Sequence, residues 1–330
     1  MVSPETISLP EPQFEGMSWR PPQKSDVPAI VALQDACCDV DRDERLVESE
    51  VLDWWADSSN DPADDALLGF DASGELVVSI WTLVPDGDES TQRIFGYQNQ
   101  VHLRVRSEAM HRFILDWWEA RGRQRLSEDQ NTLPGKFVHY RIADQDDQIH
   151  FLTSHGYEIA RYFHDLNRDL SAPIAAVETP EGITVHPFDD HRSQARLVHN
   201  DAFRDHWGSQ PISVEKWELH LDKFFEPDAS FVAFDGDDPV AYVLCGTYPH
   251  DFGDRGWSHT WVEGAGTVRS HRRRGLVSAL ITRAMQVMAE GGMEYAILGV
   301  DAESPTGAYG VYEALGFREL RREVALTKKV

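Results

Sequence analysis

The feature that most constrains this chain is an internal repeat. Met17-Ser18-Trp19-Arg20-Pro21 precedes a helical stretch around Val27 to Ala36, and Ile183-Thr184-Val185-His186-Pro187 precedes another around Gln194 to Ala202. A hairpin pattern, Leu67-Leu68-Gly69-Phe70-Asp71 with Val77-Val78-Ser79-Ile80-Trp81, has its counterpart in residues 231–235 and 240–244. Each half closes on a helix and an aromatic glycine turn, Ser154-His155-Gly156-Tyr157 in one and Ala314-Leu315-Gly316-Phe317 in the other. The offset of roughly 160 residues is far longer than a solenoid repeat, so a whole domain is duplicated. The reading gives a tail over 1–16, a first domain over 17–170, a linker over 171–180 and a second domain over 181–330. The linker reads SAPIAAVETP, with the proline and small residues of a connecting segment.

Composition narrows the function classes. With 330 residues, 41% of them hydrophobic, each half can bury a core. No apolar run approaches the roughly 18 residues a membrane helix needs. The N-terminus lacks a basic start and apolar stretch, so a cytoplasmic location is expected. The cysteines are Cys37, Cys38 and Cys245, an odd number without zinc-site spacing, so neither a disulfide framework nor a metal is expected. A formal charge of -25 argues against nucleic acid, which needs a broad basic stripe. That acidity would suit a cationic substrate, or it is simply a solubilising surface.

Against this background Arg272-Arg273-Arg274-Gly275-Leu276-Val277 stands out. It follows a strand-like run, His259 to Val268, interrupted by Gly264 and Gly266, which predict a bulge or the close approach of another group. It opens a helix whose apolar face is Leu276, Leu280, Ala284, Val287 and Met288, ended by Gly291-Gly292. A basic glycine turn at a helix N-terminus presents unpaired N–H groups and the positive dipole end to an anion such as phosphate. Residues 295–300 then read as a buried strand, and Ser304-Pro305 as the start of a helix carrying Tyr309 and Tyr312.

The succession of strand, Arg-Arg-Arg-Gly-Leu-Val, helix, strand and Tyr312-Glu313-Ala314-Leu315-Gly316-Phe317 resembles the GNAT acetyltransferase superfamily. Its phosphate loop has the form Gln/Arg-x-x-Gly-x-Gly/Ala, matched by Arg272 and Gly275, while Val277 departs from the small third residue. The double layout is similar to tandem GNAT proteins, mycothiol synthase among them. The resemblance implies an α+β fold of two tandem domains, each a central mixed sheet flanked by helices. It also implies acetyl-CoA as acyl donor, without a metal. Its pantetheine arm would lie along Ala265, Gly266 and Thr267, and its pyrophosphate on the turn formed by Arg272, Arg273, Arg274, Gly275, Leu276, Val277 and Ser278.

Tyr312 then occupies the family's general-acid position, where a phenol can protonate the departing sulfur; a tyrosine packed in the core is the other reading. Glu263 is the candidate base, about two residues closer to the loop than usual, on the same face if strict alternation holds. It could equally be a solvated edge residue. His259 and Asp301 are further base candidates, and Asp205-His206-Trp207 could line an acceptor pocket. The first half has Ser107-Glu108-Ala109-Met110-His111-Arg112 at the turn and Leu152 in place of Tyr312. It is expected to be catalytically silent and to shape the acceptor cleft or a homodimer face. The expected activity is N-acetylation of a primary amine on a small polar metabolite by direct transfer in the second domain. The alternative is a non-catalytic acyl-CoA-binding sensor.

Overall fold

The computed structural model describes residues 7–42, 45–83, 93–128, 133–221, 224–304 and 307–330. It divides into two compact units, with the boundary between His139 and Tyr140 and the last residues, Thr327–Val330, counted with the first. Among the described residues no helix is long and apolar enough to cross a membrane.

In the first unit, β1 (Ser18–Arg20) leads through α1 (Val27–Asp41), α2 (Glu48–Ala56) and α3 (Pro62–Asp65) to the hairpin of β2 (Ala66–Phe70) and β3 (Leu76–Leu83). Then come β4 (Arg93–Val101), α4 (Glu108–Glu128) and β5 (Gly135–Ile142). The strands run in the order β1-β2-β3-β4-β5. All neighbours are antiparallel except β4 and β5, which are parallel and joined by the long α4. The hairpin turn is set locally: Asp71 Oδ1 accepts from the Ser73 N–H at 2.9 Å and the Ser73 hydroxyl at 2.6 Å.

The second unit begins with α5 (Asp146–Ser154) and β6 (Glu158–Asp169). It continues through β7 (Ile183–Pro187), α6 (Arg192–Ala202), α7 (Val214–His220), β8 (Phe231–Asp235), β9 (Asp238–Gly246) and the short α8 (Phe252–Arg255). The chain is completed by β10 (His259–Thr267), α9 (Leu276–Glu290), β11 (Tyr295–Asp301), α10 (Ala308–Ala314) and β12 (Arg318–Lys329). Its strand order is β12-β6-β11-β10-β9-β8-β7. The fold is thus α+β with mixed sheets. β6 ends the first repeat in sequence but pairs antiparallel with β11, Phe163 to Asp169 against Asp301 to Tyr295. Leu166 and Leu170 at its end are buried in the second unit's core. Sequence order and spatial contact therefore divide the chain at different points, 170 and 139.

The second unit's sheet separates two apolar layers by simple alternation. Phe231 and Ala233 of β8, with Ala241, Val243 and Cys245 of β9, pack under α9 beside Leu276, Leu280, Ala284 and Met288. Val232 and Phe234, with Tyr242 and Leu244, face the opposite layer of Ala195, Val198 and Trp217 from α6 and α7. The apolar face expected for the helix after the arginine turn is the one that packs, with Val287 at its partly buried margin. The last helix starts later than its expected Ser304-Pro305 opening. It begins at Ala308 behind Gly307, and Pro305 itself lies outside the described residues.

Candidate active site

The site grows from two parallel strands that part. β10 and β11 pair at His259↔Tyr295, Thr260↔Ala296, Trp261↔Ile297 and Val262↔Leu298, and no further among the described residues. Beyond that point β10 continues against β9 as far as Thr267, and β11 against β6 as far as Asp301. The facing edges of 263–267 and 299–301 therefore open into a wedge with backbone groups that a bound chain could pair.

At the apex the β10–β9 register shifts between Val262 and Gly264, so Glu263 is the extra residue of a bulge. Strict alternation, the basis for assigning Glu263 to a face, does not run through it. Glu263 Oε1 lies 3.2 Å from where a Cβ on Gly246 would stand, on the layer that holds α6. The two glycines have separate packing reasons. A Cβ on Gly264 would meet the Tyr242 hydroxyl at 2.6 Å, and one on Gly266 would meet the Ala202 Cβ at 2.8 Å. Tyr242 is fully buried and its hydroxyl is 2.7 Å from His199 Nδ1. Burial lowers His199 to about 4, so the ring is neutral and Nδ1 can accept the phenol proton. Burial, and secondarily Tyr312, raise the Tyr242 phenol.

At the open end, β10 passes through one 3-10 turn, Arg269–His271, into the arginine turn. Arg273 has φ 62° and Gly275 φ 81°. A non-glycine residue in the left-handed region costs about 1–3 kcal/mol and persists only where its surroundings impose it. The alternating conformation curls successive N–H groups toward one side. The first intrahelical bond of α9 is from the Ala279 N–H to the Gly275 carbonyl at 3.0 Å. The N–H groups of Leu276, Val277 and Ser278 thus have no helical acceptor, at the positive end of a 15-residue helix. Val277, off the small-residue pattern, packs its side chain against the α9 core.

The arginines divide their work. Arg272 donates to the Ala202 carbonyl at 2.9 Å and lies 3.8 Å from Asp205, which also pairs with Arg269. It is a strut between the turn and the end of α6. Arg274 lies 3.4 Å from Asp235, which His271 also approaches at 3.1 Å, and it is not in the cavity wall. Arg273 is exposed, lines the cavity and has no ion-pair partner among the described residues.

A cavity of about 830 Å³ joins wedge and turn. Ala265, Gly266, Thr267, Arg272, Arg273, Gly275, Leu276, Val277 and Ser278 line it, together with Glu263 and Tyr312. Asp205, His206 and Asp301 are also in its wall, whereas His259 and Trp207 are not. His259 is a fully buried core histidine between Phe252 and Trp257, lowered to about 4 chiefly by burial. Burial pushes the Tyr312 phenol up to about 12, so it is a proton donor throughout the neutral range. Phe163 of β6 and Phe203 after α6 also line the cavity, and sequence reasoning missed them with the His199–Tyr242 pair. Gly264 and Gly266 signalled that something approaches closely; nothing local identified Tyr242 and Ala202 as the neighbours.

Comparison with known proteins converges on this geometry. The family model described as "Acetyltransferase (GNAT) family" matches residues 194–317, from α6 to the end of the aromatic glycine turn. A curated relative, N-alpha-acetyltransferase MAK3 of Arabidopsis thaliana, is 30% identical over 114 residues, which are 34% of this chain and 56% of the relative. The chain thus spans little more than half the length of that relative. Among solved structures, a GCN5-related N-acetyltransferase from Sphaerobacter thermophilus is 26% identical, with TM-score 0.72 over 98% of this chain and 97% of its own. A tandem GNAT protein from the clavulanic acid biosynthesis pathway shares the fold, with TM-score 0.68 at 13% identity over 95% of this chain and 98% of its own. So does the N-myristoyltransferase of Saccharomyces cerevisiae, with TM-score 0.66 at 11% identity over 99% and 82%. With the wedge, the turn and these likenesses together, residues 194–317 form a segment similar to the GNAT acetyltransferase family, and the whole chain has the tandem GNAT fold.

Proposed function

We propose that this protein is an acetyl-CoA-dependent N-acetyltransferase that modifies a primary amine of a small polar molecule in its second unit. The observation that carries the reading is the wedge between β10 and β11, which leads straight into the free amides of α9. Residues 265–267 offer backbone to the pantetheine arm, and the amides from Arg273 to Ser278 bind the pyrophosphate. The thioester so held supplies a carbonyl carbon: the amine nitrogen bonds to it, the C–S bond breaks, and the thiolate takes a proton. Tyr312 donates that proton from the layer that holds α9. Glu263, on the opposite layer, accepts the amine's proton through water. Arg272 and Asp205 hold the turn to α6, and Arg273 adds positive charge for the phosphates.

Calorimetry with acetyl-CoA tests the binding half. A Gly275→Glu variant puts a carboxylate and backbone strain at the turn, and affinity is expected to fall by about 10²-fold or more. The same change at Ala109, its first-unit counterpart, should leave affinity unaltered; an unaltered Gly275→Glu variant overturns the assignment. A panel of amines followed by thiol release tests the chemistry. Tight acetyl-CoA binding without release from any amine would favour a sensor over an enzyme.

A further inference from the structure

Building on the acetyl-transfer reading, we propose that the acceptor is a cationic amine that carries no carboxylate, recognised by acid groups and aromatic faces at the sheet side of the cavity. The ionisable groups in the wall are sorted by position. Its basic residues, Arg269, His271, Arg272 and Arg273, belong to the turn beyond β10. Arg269 and Arg272 pair with Asp205, and His271 with Asp235. On the strands the charged wall residues are Glu263 and Asp301, beside the rings of Phe163 and Phe203.

Asp301 is the informative member. It is only 1% exposed, and its Oδ1 accepts from the Glu303 N–H at 2.9 Å. Its Oδ2 has no hydrogen bond and only a long ion pair, 3.9 Å to Arg161 Nε, while Nη1 of that guanidinium is held by Glu303. A buried carboxylate oxygen with spare acceptor capacity suits an ammonium donor. Phe203 stacks flat on His199, with centroids 4.6 Å apart, which fixes its ring against Gly266. A face of this kind attracts an organic cation. An amino acid entering amine-first would bring its own carboxylate toward Glu263 and Asp301, on strands that carry no lysine or arginine in the wall. Arg273, the wall's arginine without an ion-pair partner among the described residues, lies in the turn on the phosphate side. Like charges brought together at a recognition surface discriminate strongly.

Matched pairs that differ by one carboxylate decide the matter: tyramine and tyrosine, histamine and histidine, agmatine and arginine. With saturating acetyl-CoA and thiol-release detection, the carboxylate-free member should show kcat/KM higher by about 10²-fold or more. Asp301→Asn keeps the Oδ1 bond and removes the charge. It should raise the preferred amine's KM by about tenfold with acetyl-CoA affinity unchanged, and shrink the pair ratio. Equal or reversed ratios, or an unchanged KM in Asp301→Asn, overturn the proposal. Absence of turnover in every pair would overturn the transfer reading instead. Calorimetry of the same pairs on CoA-loaded protein then judges this one, and tighter binding of the amino acids, or binding of neither member, overturns it.

Discussion

The two units carry the same wedge and treat it in opposite ways. In the first, β4 and β5 are parallel over Arg93↔Gly135 to Gly96↔Val138 and then part, as β10 and β11 do. A 3-10 turn, Leu103–Val105, follows β4 as Arg269–His271 follows β10. Arg106 stands where Arg272 does, held by Asp41 of α1 at 2.8 and 2.5 Å. From there the units diverge. The Ser107 hydroxyl accepts the Met110 N–H at 3.1 Å, so a side chain satisfies an amide that the second unit leaves open. Glu108 takes the favourable end of the helix dipole for its own carboxylate. At the parting point the Trp118 indole donates to the Gly96 carbonyl at 3.1 Å, packed between Phe137 and His139. Alignment of the two strands puts Ala284 at the position of Trp118. The strand pairing is alike in the two units, while capping, charge and one large side chain differ at the turn and at the parting point.

That contrast can be broken by measurement. Trp118→Ala should cost the most, about 3–5 kcal/mol of unfolding free energy for a buried tryptophan, seen in urea titrations. It should open no second acetyl-CoA site, because the turn above it still lacks free amides. Two sites per chain in that variant would show that the tryptophan alone silenced the first unit. Tyr312→Phe should slow thiol release by about 10²-fold with acetyl-CoA affinity unchanged. Full activity would make Tyr312 a packing residue, no different in kind from Leu152, which stands in its place in the first unit.

A smaller effect comes from acid. His199 and His259, both in the second unit, are lowered from 6.5 to about 4 in the folded state. Below pH 6.5 the unfolded chain binds protons that these rings refuse, so stability is complete above that value and lost as pH falls toward 4. Thermal unfolding between pH 7 and 4 should show this decline, flattened in His259→Phe. A decline of the same slope in that variant would remove His259 from the explanation.

Much of the frame was legible because it rests on local rules. The hairpins show in turn residues and strand composition, α9 in its 3.6-residue period, and the two halves in their common order. The turn at Gly275 that opens α9 was legible too, since a helix start and its neighbours are fixed within a few residues. Arg274 shows where locality ends: its neighbours in sequence predict a phosphate contact, while Asp235, far along the chain, holds its guanidinium aside. The start of α10 was misplaced, because the helix opens at Ala308 behind Gly307, whose left-handed conformation no local signal specified.

The sequence by itself determined the duplication, the class of fold and the strand–turn–helix order around the arginine turn. All of these follow from patterns shorter than about twenty residues or from their repetition. Tertiary structure alone decided that β6 serves the second unit, that Glu263 sits in a bulge, that His199 and Tyr242 close one face of the wedge, and that Asp301 reaches the cavity. Each depends on hydrogen-bond register or packing between segments distant in the chain. A one-residue slip reverses the direction of a side chain, and no local preference specifies that register.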